Sequence, residues 1–159
     1  MRKWLALAAA VVLVDQLTKF AVERAFAVHE LVEITPFLNL VLVYNRGAAF
    51  SFLSDASGWQ RELFIAIALS ACAWIAWLLR KHSTETLFCL ALSLVLGGAI
   101  GNVLDRVLIG AVVDFVDVHA YGYHWPAFNA ADSAITCGAV LLVWDALRAK
   151  REPHGGPAA

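Results

Sequence analysis

The chain has 159 residues, 61% of them hydrophobic and 16% charged, with a formal net charge of -1. A soluble domain carries about 25% charged residues, so this composition excludes an ordinary water-soluble domain and points to a multi-pass membrane protein with little mass outside the bilayer. No basic stripe or nucleic-acid motif occurs, so no nucleic-acid partner is expected.

The first apolar segment runs from about Trp4 to Val22, and a bilayer crossing takes about 20 mostly apolar residues. Its start, MRKWLALAAAVVLV, resembles a secretory leader with Ala25-Phe26-Ala27 as a cleavage site. Asp15, Lys19, Glu23 and Arg24 interrupt it ahead of Ala25, and three further apolar segments follow, so an uncleaved first span is expected. Asp15 and Lys19 are four apart and share a helix face. They form either a self-neutralised pair snorkelling to the interface or the polar wall of a site, and spacing alone leaves both open.

The stretch from about 29 to 61 is not a span. It is rich in β-branched and aromatic residues, punctuated by Pro36 and Gly47, and reads as a small sheet or hairpin at the membrane surface. Asn45-Arg46-Gly47 reads as its turn. The second span, about 63 to 79, carries no charge and is framework; Arg80 to Ser83 make a tight loop. The third, about 86 to 108, holds Gly97 and Gly101 in a GxxxG pattern that admits a close helix neighbour. Asn102, Asp105 and Arg106 then fall on one face. The fourth covers about 129 to 147, with Asn129 as its N-cap, and the tail 151–159 reads as disordered. Cys72, Cys89 and Cys137 lie in apolar runs without CxxC spacing and read as small buried hydrophobes. Trp59 and Trp125 read as interfacial belt anchors.

Lysines and arginines set the orientation. The side holding both termini carries seven (Arg2, Lys3, Arg80, Lys81, Arg148, Lys150, Arg151) and the other five (Lys19, Arg24, Arg46, Arg61, Arg106), which puts both termini in the cytoplasm. Asp15, Lys19, Asn45, Arg46, Asn102, Asp105, Arg106, Asp114, Asn129 and Asp132 then converge from separate segments on the outer face.

Polar groups in a membrane are costly and read as functional. Asp114 and Asp132 are placed to meet at that face. Two carboxyls held close share a proton and titrate as a pair. One then acts as general base on water, and the protonated partner hydrogen-bonds the carbonyl under attack. Asp132, in the first turn of a helix capped by Asn129, is favoured as the ionised member by the helix dipole, which leaves the shared proton on Asp114. Asp114, Asp117, His119 and His124 are of metal-ligating type, but no HExxH or HxxEH occurs and surface loop histidines are the favoured reading. Asn102, Asp105 and Arg106 also fit a packing network, with Asp105 and Arg106 paired to each other or to Asp15. Asp117, Asp55 and Asp145 read as solvated or interfacial.

The blocks DQLTK (Asp15 to Lys19), YNRGAAFSF (Tyr44 to Phe52), GGAIGNVLDR (Gly97 to Arg106), VVDFVD (Val112 to Asp117) and FNAADSAI (Phe128 to Ile135), in that order, closely resemble the lipoprotein signal peptidase family, also called signal peptidase II. The resemblance implies an aspartic intramembrane peptidase of the bacterial inner membrane. Its substrates are prolipoproteins whose cysteine bears diacylglycerol, cut on the amino side of that cysteine. The implied fold is membrane all-α with a small β element: four transmembrane helices plus a periplasmic β-cradle, in a single integral-membrane domain over 1–159. The catalytic pair maps onto Asp114 and Asp132. The supporting positions map onto Asp15, Asn45, Gly47, Asn102, Asp105, Arg106 and Asn129. No metal or organic cofactor is implied. The expected partners are the prolipoproteins, membrane lipids and globomycin-type inhibitors, acting on a monomer. The rival reading is a small transporter or channel subunit, which would distribute its carboxylates through the depth of the bilayer.

Overall fold

The computed structural model describes residues 1–47 and 59–149. In chain order these form α1 (Arg2–Ala25), β1 (Leu31–Thr35), β2 (Leu38–Asn45), α2 (Trp59–Lys81), α3 (Thr86–Leu108), β3 (Val112–Ala120), β4 (Tyr123–His124) and α4 (Ala130–Ala149). All four helices are long and apolar enough to cross a membrane. Ala48 to Phe52, Asp55 and the tail 151–159 lie outside the described residues.

The bundle is arranged around α3. In its span 56% of residues are buried, against 11–17% in the other three, whose outer surfaces are left for lipid. Small residues explain why α3 can take the centre. A Cβ on Gly97 would meet Val11 and the Ala8 carbonyl of α1, and one on Gly98 would collide with the Ala131 carbonyl of α4. Gly101 faces the Asp15 carboxylate, and Gly138 of α4 faces the Ala91 carbonyl of α3. The expected close approach at Gly97 and Gly101 is therefore made by α1, while Gly98 and Gly138 admit α4. Towards the termini, Trp4, Ala8, Ile75, Leu79, Cys89, Leu92 and Leu96 form one apolar core. At the opposite end of α3, Arg61 of α2 donates to the carbonyls of Arg106 and Val107 at 2.8 and 3.0 Å. Helix-end carbonyls have no partner within the helix, and this guanidinium supplies one.

At that same end stands one antiparallel sheet in the order β1-β2-β3-β4. The expected hairpin within 29–61 supplies its first two strands. Its other half was not foreseen: VVDFVDVHA forms β3 and pairs along β2, with Tyr44 opposite Val113 and Val43 opposite Asp114. The run from Val112 to Val116 is almost unbroken apolar, and only Asp114 and Asp117 mark it as more than a connector. The sheet docks on α1 through Val22, Leu42, Val113 and Phe115. Each such side chain contributes roughly 1.5–3 kcal/mol when fully buried.

Two expectations are corrected. Asp117, expected to be solvated or interfacial, is buried, because Asn39 directly across β2 donates to it at 2.8 Å and His124 reaches it at 2.9 Å. Of the cysteines only Cys89 is buried; Cys72 is intermediate and Cys137 exposed on the helix surface. A bilayer makes an outward apolar cysteine as acceptable as an inward one, so apolar surroundings in sequence do not imply burial in protein. Trp59 and Trp125 are both more than half exposed.

Candidate active site

The site forms where α1, α3, β2, β3 and the start of α4 meet. Helix α4 begins at Ala130, and Asn129 caps it. The Asn129 Oδ1 accepts the Asp132 N–H at 2.9 Å, and Asp132 Oδ2 accepts the Asn129 N–H at 3.3 Å. This is the reciprocal capping box, with Asp in the place usually held by Glu. A further N–H of this turn, that of Ala131, is taken by Asp15 Oδ1 of α1 at 2.9 Å.

With its oxygen committed to the cap, Asn129 turns its amide nitrogen inward. There it donates to Asp114 Oδ1 at 2.8 Å, the Val113 carbonyl at 3.1 Å and Asn102 Oδ1 at 3.2 Å. The other oxygen of Asp114 accepts from Asn45 Nδ2 at 3.1 Å. The other oxygen of Asp132 accepts from Asn102 Nδ2 at 2.8 Å. Each oxygen of both carboxyls thus has a protein donor, and Asn129 and Asn102 bridge the two groups.

Below the pair, Lys19 contacts Asp15 at 2.8 Å, Asp105 at 2.7 Å and Asn102 at 3.0 Å. Gln16 donates to Asp105 Oδ1 at 2.9 Å, and Asp105 Oδ2 accepts the Val113 N–H at 3.1 Å, which fixes the start of β3. Arg106 reaches the Gly47 carbonyl at 3.1 Å, and the Gly47 N–H returns to Asn45 Oδ1 at 3.0 Å. Neither expected partner of Arg106 is the one it uses: it holds backbone carbonyls of Asn102 and Gly47, while Asp105 pairs with Lys19.

Asp114 is 2% exposed. Burial first, and then the charge of Asp132, push its carboxyl up to about 7; the amides of Asn45 and Asn129 and the Lys19 ammonium pull the other way. A carboxylic acid poised there exchanges its proton near neutral pH, which suits general acid–base work.

The structure gathers Asp15, Asn45, Gly47, Asn102, Asp105, Arg106, Asp114, Asn129 and Asp132 into this network, and leaves Arg46 exposed. Of the two readings of Asp15 and Lys19, the snorkelling one is excluded: both are buried, at 0% and 2% exposure. Lys19, read with Asp15 as a candidate wall of the site but not among the supporting positions that the resemblance implies, belongs to the network, and so does Gln16, which carries no such expectation. The DQLTK spacing carried the signal, since Gln16 follows Asp15 directly and Lys19 lies one turn on. His119 and His124 face each other across the β3–β4 pair and stack. No group of three or more His, Cys, Asp and Glu among the described residues is placed to hold a metal ion.

Four apolar helices that concentrate paired carboxyls and their donors at one end define a polytopic membrane enzyme. A family model described as signal peptidase (SPase) II matches residues 7–148. The lipoprotein signal peptidase of Paraburkholderia phymatum is 59% identical over 93% of this chain and 89% of its own. That of Janthinobacterium sp. (strain Marseille) is 57% identical over 93% and 90%. A bacterial membrane enzyme solved by the in meso method at 2.3 Å superposes with a TM-score of 0.87 at 31% identity, covering 100% of this chain and 96% of the other. A second such enzyme, solved at 1.9 Å, gives 0.81 at 34% identity over 92% and 94%. The chain belongs to the signal peptidase II family: it is an aspartic-type membrane peptidase that removes signal peptides from prolipoproteins.

Proposed function

We propose that Asp114 and Asp132 are the pair with which this peptidase cuts diacylglyceryl-modified prolipoproteins, on the amino side of the lipidated cysteine. The observation that carries the assignment is the bridging of these two carboxyls by Asn129 and Asn102 at the mouth of the bundle. Asp132, in the first turn of α4 with donors on both oxygens, is the ionised member and takes a proton from water. Asp114 keeps the shared proton, in line with its displacement to about 7, and donates it as a hydrogen bond to the scissile carbonyl. Water adds to the carbonyl carbon, the tetrahedral diol collapses, and the cysteine nitrogen leaves as a free amine carrying the proton. No protein nucleophile, metal or organic cofactor enters these steps.

Asp15, Asn102, Asp105, Arg106 and Asn129 hold the pair rigid, and Asn45 with Gly47 fixes the β2 side of the site. The whole chain works as one integral-membrane domain in the bacterial inner membrane. Both termini are cytoplasmic and the site is at the periplasmic face, where a diacylglyceryl group anchored in the outer leaflet brings its peptide bond to the same depth. We further expect a monomer in contact with membrane lipids, inhibited by globomycin, whose hydroxyl would sit between the carboxyls. The clustering of buried carboxylates at one end, over an apolar core at the other, argues against the carrier or channel alternative.

The test is a gel-shift assay of the purified chain with a diacylglyceryl-modified precursor. Cleavage before the cysteine, blocked by globomycin, supports the reading. Equal cleavage of an unmodified precursor, or no cleavage together with solute flux in liposomes, would overturn it.

A further inference from the structure

Lys19 is an ammonium buried at 2% exposure that no step of the reaction uses. An ammonium has three donors and no acceptor. Two of them meet Asp15 and Asp105, which already balance the charge twice over. The third goes to the neutral amide of Asn102, at 3.0 Å. That contact is the one that reaches the carboxyl pair. Because Lys19 only donates, Asn102 must present Oδ1 to it and so turns Nδ2 towards Asp132, at 2.8 Å. The flipped amide would set its oxygen against the carboxylate, acceptor against acceptor.

We propose that Lys19 is a positioning residue for peptide-bond cleavage: through Asn102 it keeps an amide donor aimed at Asp132. This rests on Asp114 and Asp132 being the reacting pair. The charged and titratable groups around it are Asp15 on its own helix, Asp105 and Arg106 on α3, Asp114 on β3 and Asp132 on α4. Neutral donors come from Gln16, Asn45 and Asn129. Losing Lys19 therefore has two effects. It leaves Asn102 Oδ1 held by the longer contact from Asn129, at 3.2 Å, so the amide is less firmly aimed, and it leaves an extra buried negative charge. Both hinder ionisation of the pair and move the acidic limb of activity upward.

The pH profile of kcat/KM separates these effects in four proteins: the parent, Lys19→Arg, Lys19→Met, and the double variant Lys19→Met with Asp105→Asn. The double variant loses one positive and one negative charge together, so the net buried charge is unchanged. Lys19→Arg should keep the acidic limb in place whatever its rate. Lys19→Met should shift it up by about one unit, and the double variant by about half a unit or more, since Asn102 has lost the closer of the two donors to its Oδ1. Where turnover is too slow, carboxyl-carbon NMR of Asp114 in the inserted protein reads the same displacement, because the pair titrates as one. A purely structural lysine would lower the amount of active protein and leave the limb unmoved. That result, or a double variant with the parental limb, overturns the proposal. Failure of the pair assignment is distinct, because Asp114→Asn or Asp132→Asn would then retain cleavage.

Discussion

Asn129 and Asp132 cap each other: the Asp132 N–H meets Asn129 Oδ1 at 2.9 Å, and the Asp132 carboxylate takes the Asn129 N–H at 3.3 Å. The residue that starts α4 thereby also orients the Asp132 carboxylate, and its amide nitrogen reaches Asp114. Helix formation and site assembly are one event here.

That double role can be split. Asn129→Ala should cost about 1–3 kcal/mol, from the lost cap and the buried groups left without a partner, and should abolish cleavage. Asn129→Ser keeps a capping oxygen but has no amide to offer Asp114. Denaturation in detergent should show it recovering most of the stability, while kcat stays low. Full recovery of kcat with Ser would show that the amide contact is dispensable.

Asp114 should trade stability for activity. Its folded carboxyl lies at about 7, above the usual value of about 3.9. Between those limits the folded state holds a proton that the unfolded state releases, so stability falls as pH rises through that window. Asp114→Asn should remove this dependence and raise stability at pH 7.5 by on the order of 1–3 kcal/mol, while being inactive. In the parent enzyme, cleavage should decline as pH rises through about 7 and the shared proton leaves. Thermal melts of both proteins between pH 5 and 8 (on the order of one carboxyl's transition width,) check the first point, and a rate profile the second.

The glycines of α3 should rank by what a methyl group would strike. At Gly98 it meets backbone, the Ala131 carbonyl, which cannot retreat. At Gly101 it comes within 2.5 Å of Asp15 Oδ2, a side chain able to shift. Gly98→Ala should therefore destabilise more than Gly101→Ala, each by roughly 1–3 kcal/mol or more. Gly101→Ala should in addition lower kcat, since Asp15 also supports Lys19 and Ala131. Gly110→Ala meets open space, but its φ of +79° costs about 1 kcal/mol.

Asp117 is held by Asn39 and His124, away from the Asn102–Asn129 bridge. Burial pushes its carboxyl up, but hydrogen bonds from His124 and Asn39 outweigh that and hold it below the usual value. Its contribution to stability is present above about pH 4 and is lost as pH falls further. Asp117→Ala should leave Asn39 buried and unpaired, costing about 1–3 kcal/mol, with the cleavage rate per folded molecule unchanged. A comparable loss of kcat would place Asp117 in the site.

The four helices were legible because bilayer thickness dictates length and composition, and α3 was read to its end residues. The carboxyl pair was legible because charge in an apolar chain is conspicuous. Strand β3 was not: a strand buried on both faces lacks alternation, and its partner β2 lies some seventy residues away in sequence. Lys19 was ambiguous for a related reason. Its i,i+4 spacing to Asp15 describes a surface pair as well as a buried one, and only the arrival of Asp105 and Asn102 from α3 decides between them. The direction of the Asn102 and Asn129 amides is a tertiary property with no sequence signal.

The central claim is that Asp114 and Asp132 perform the cleavage. It is tested most directly by single-turnover cleavage of a diacylglyceryl-modified prolipoprotein by purified Asp114→Asn and Asp132→Asn, each first shown to insert and melt cooperatively. The account predicts no detectable product from either variant at any pH, with substrate still bound. Product formation by either at a rate near that of the parent enzyme would contradict it.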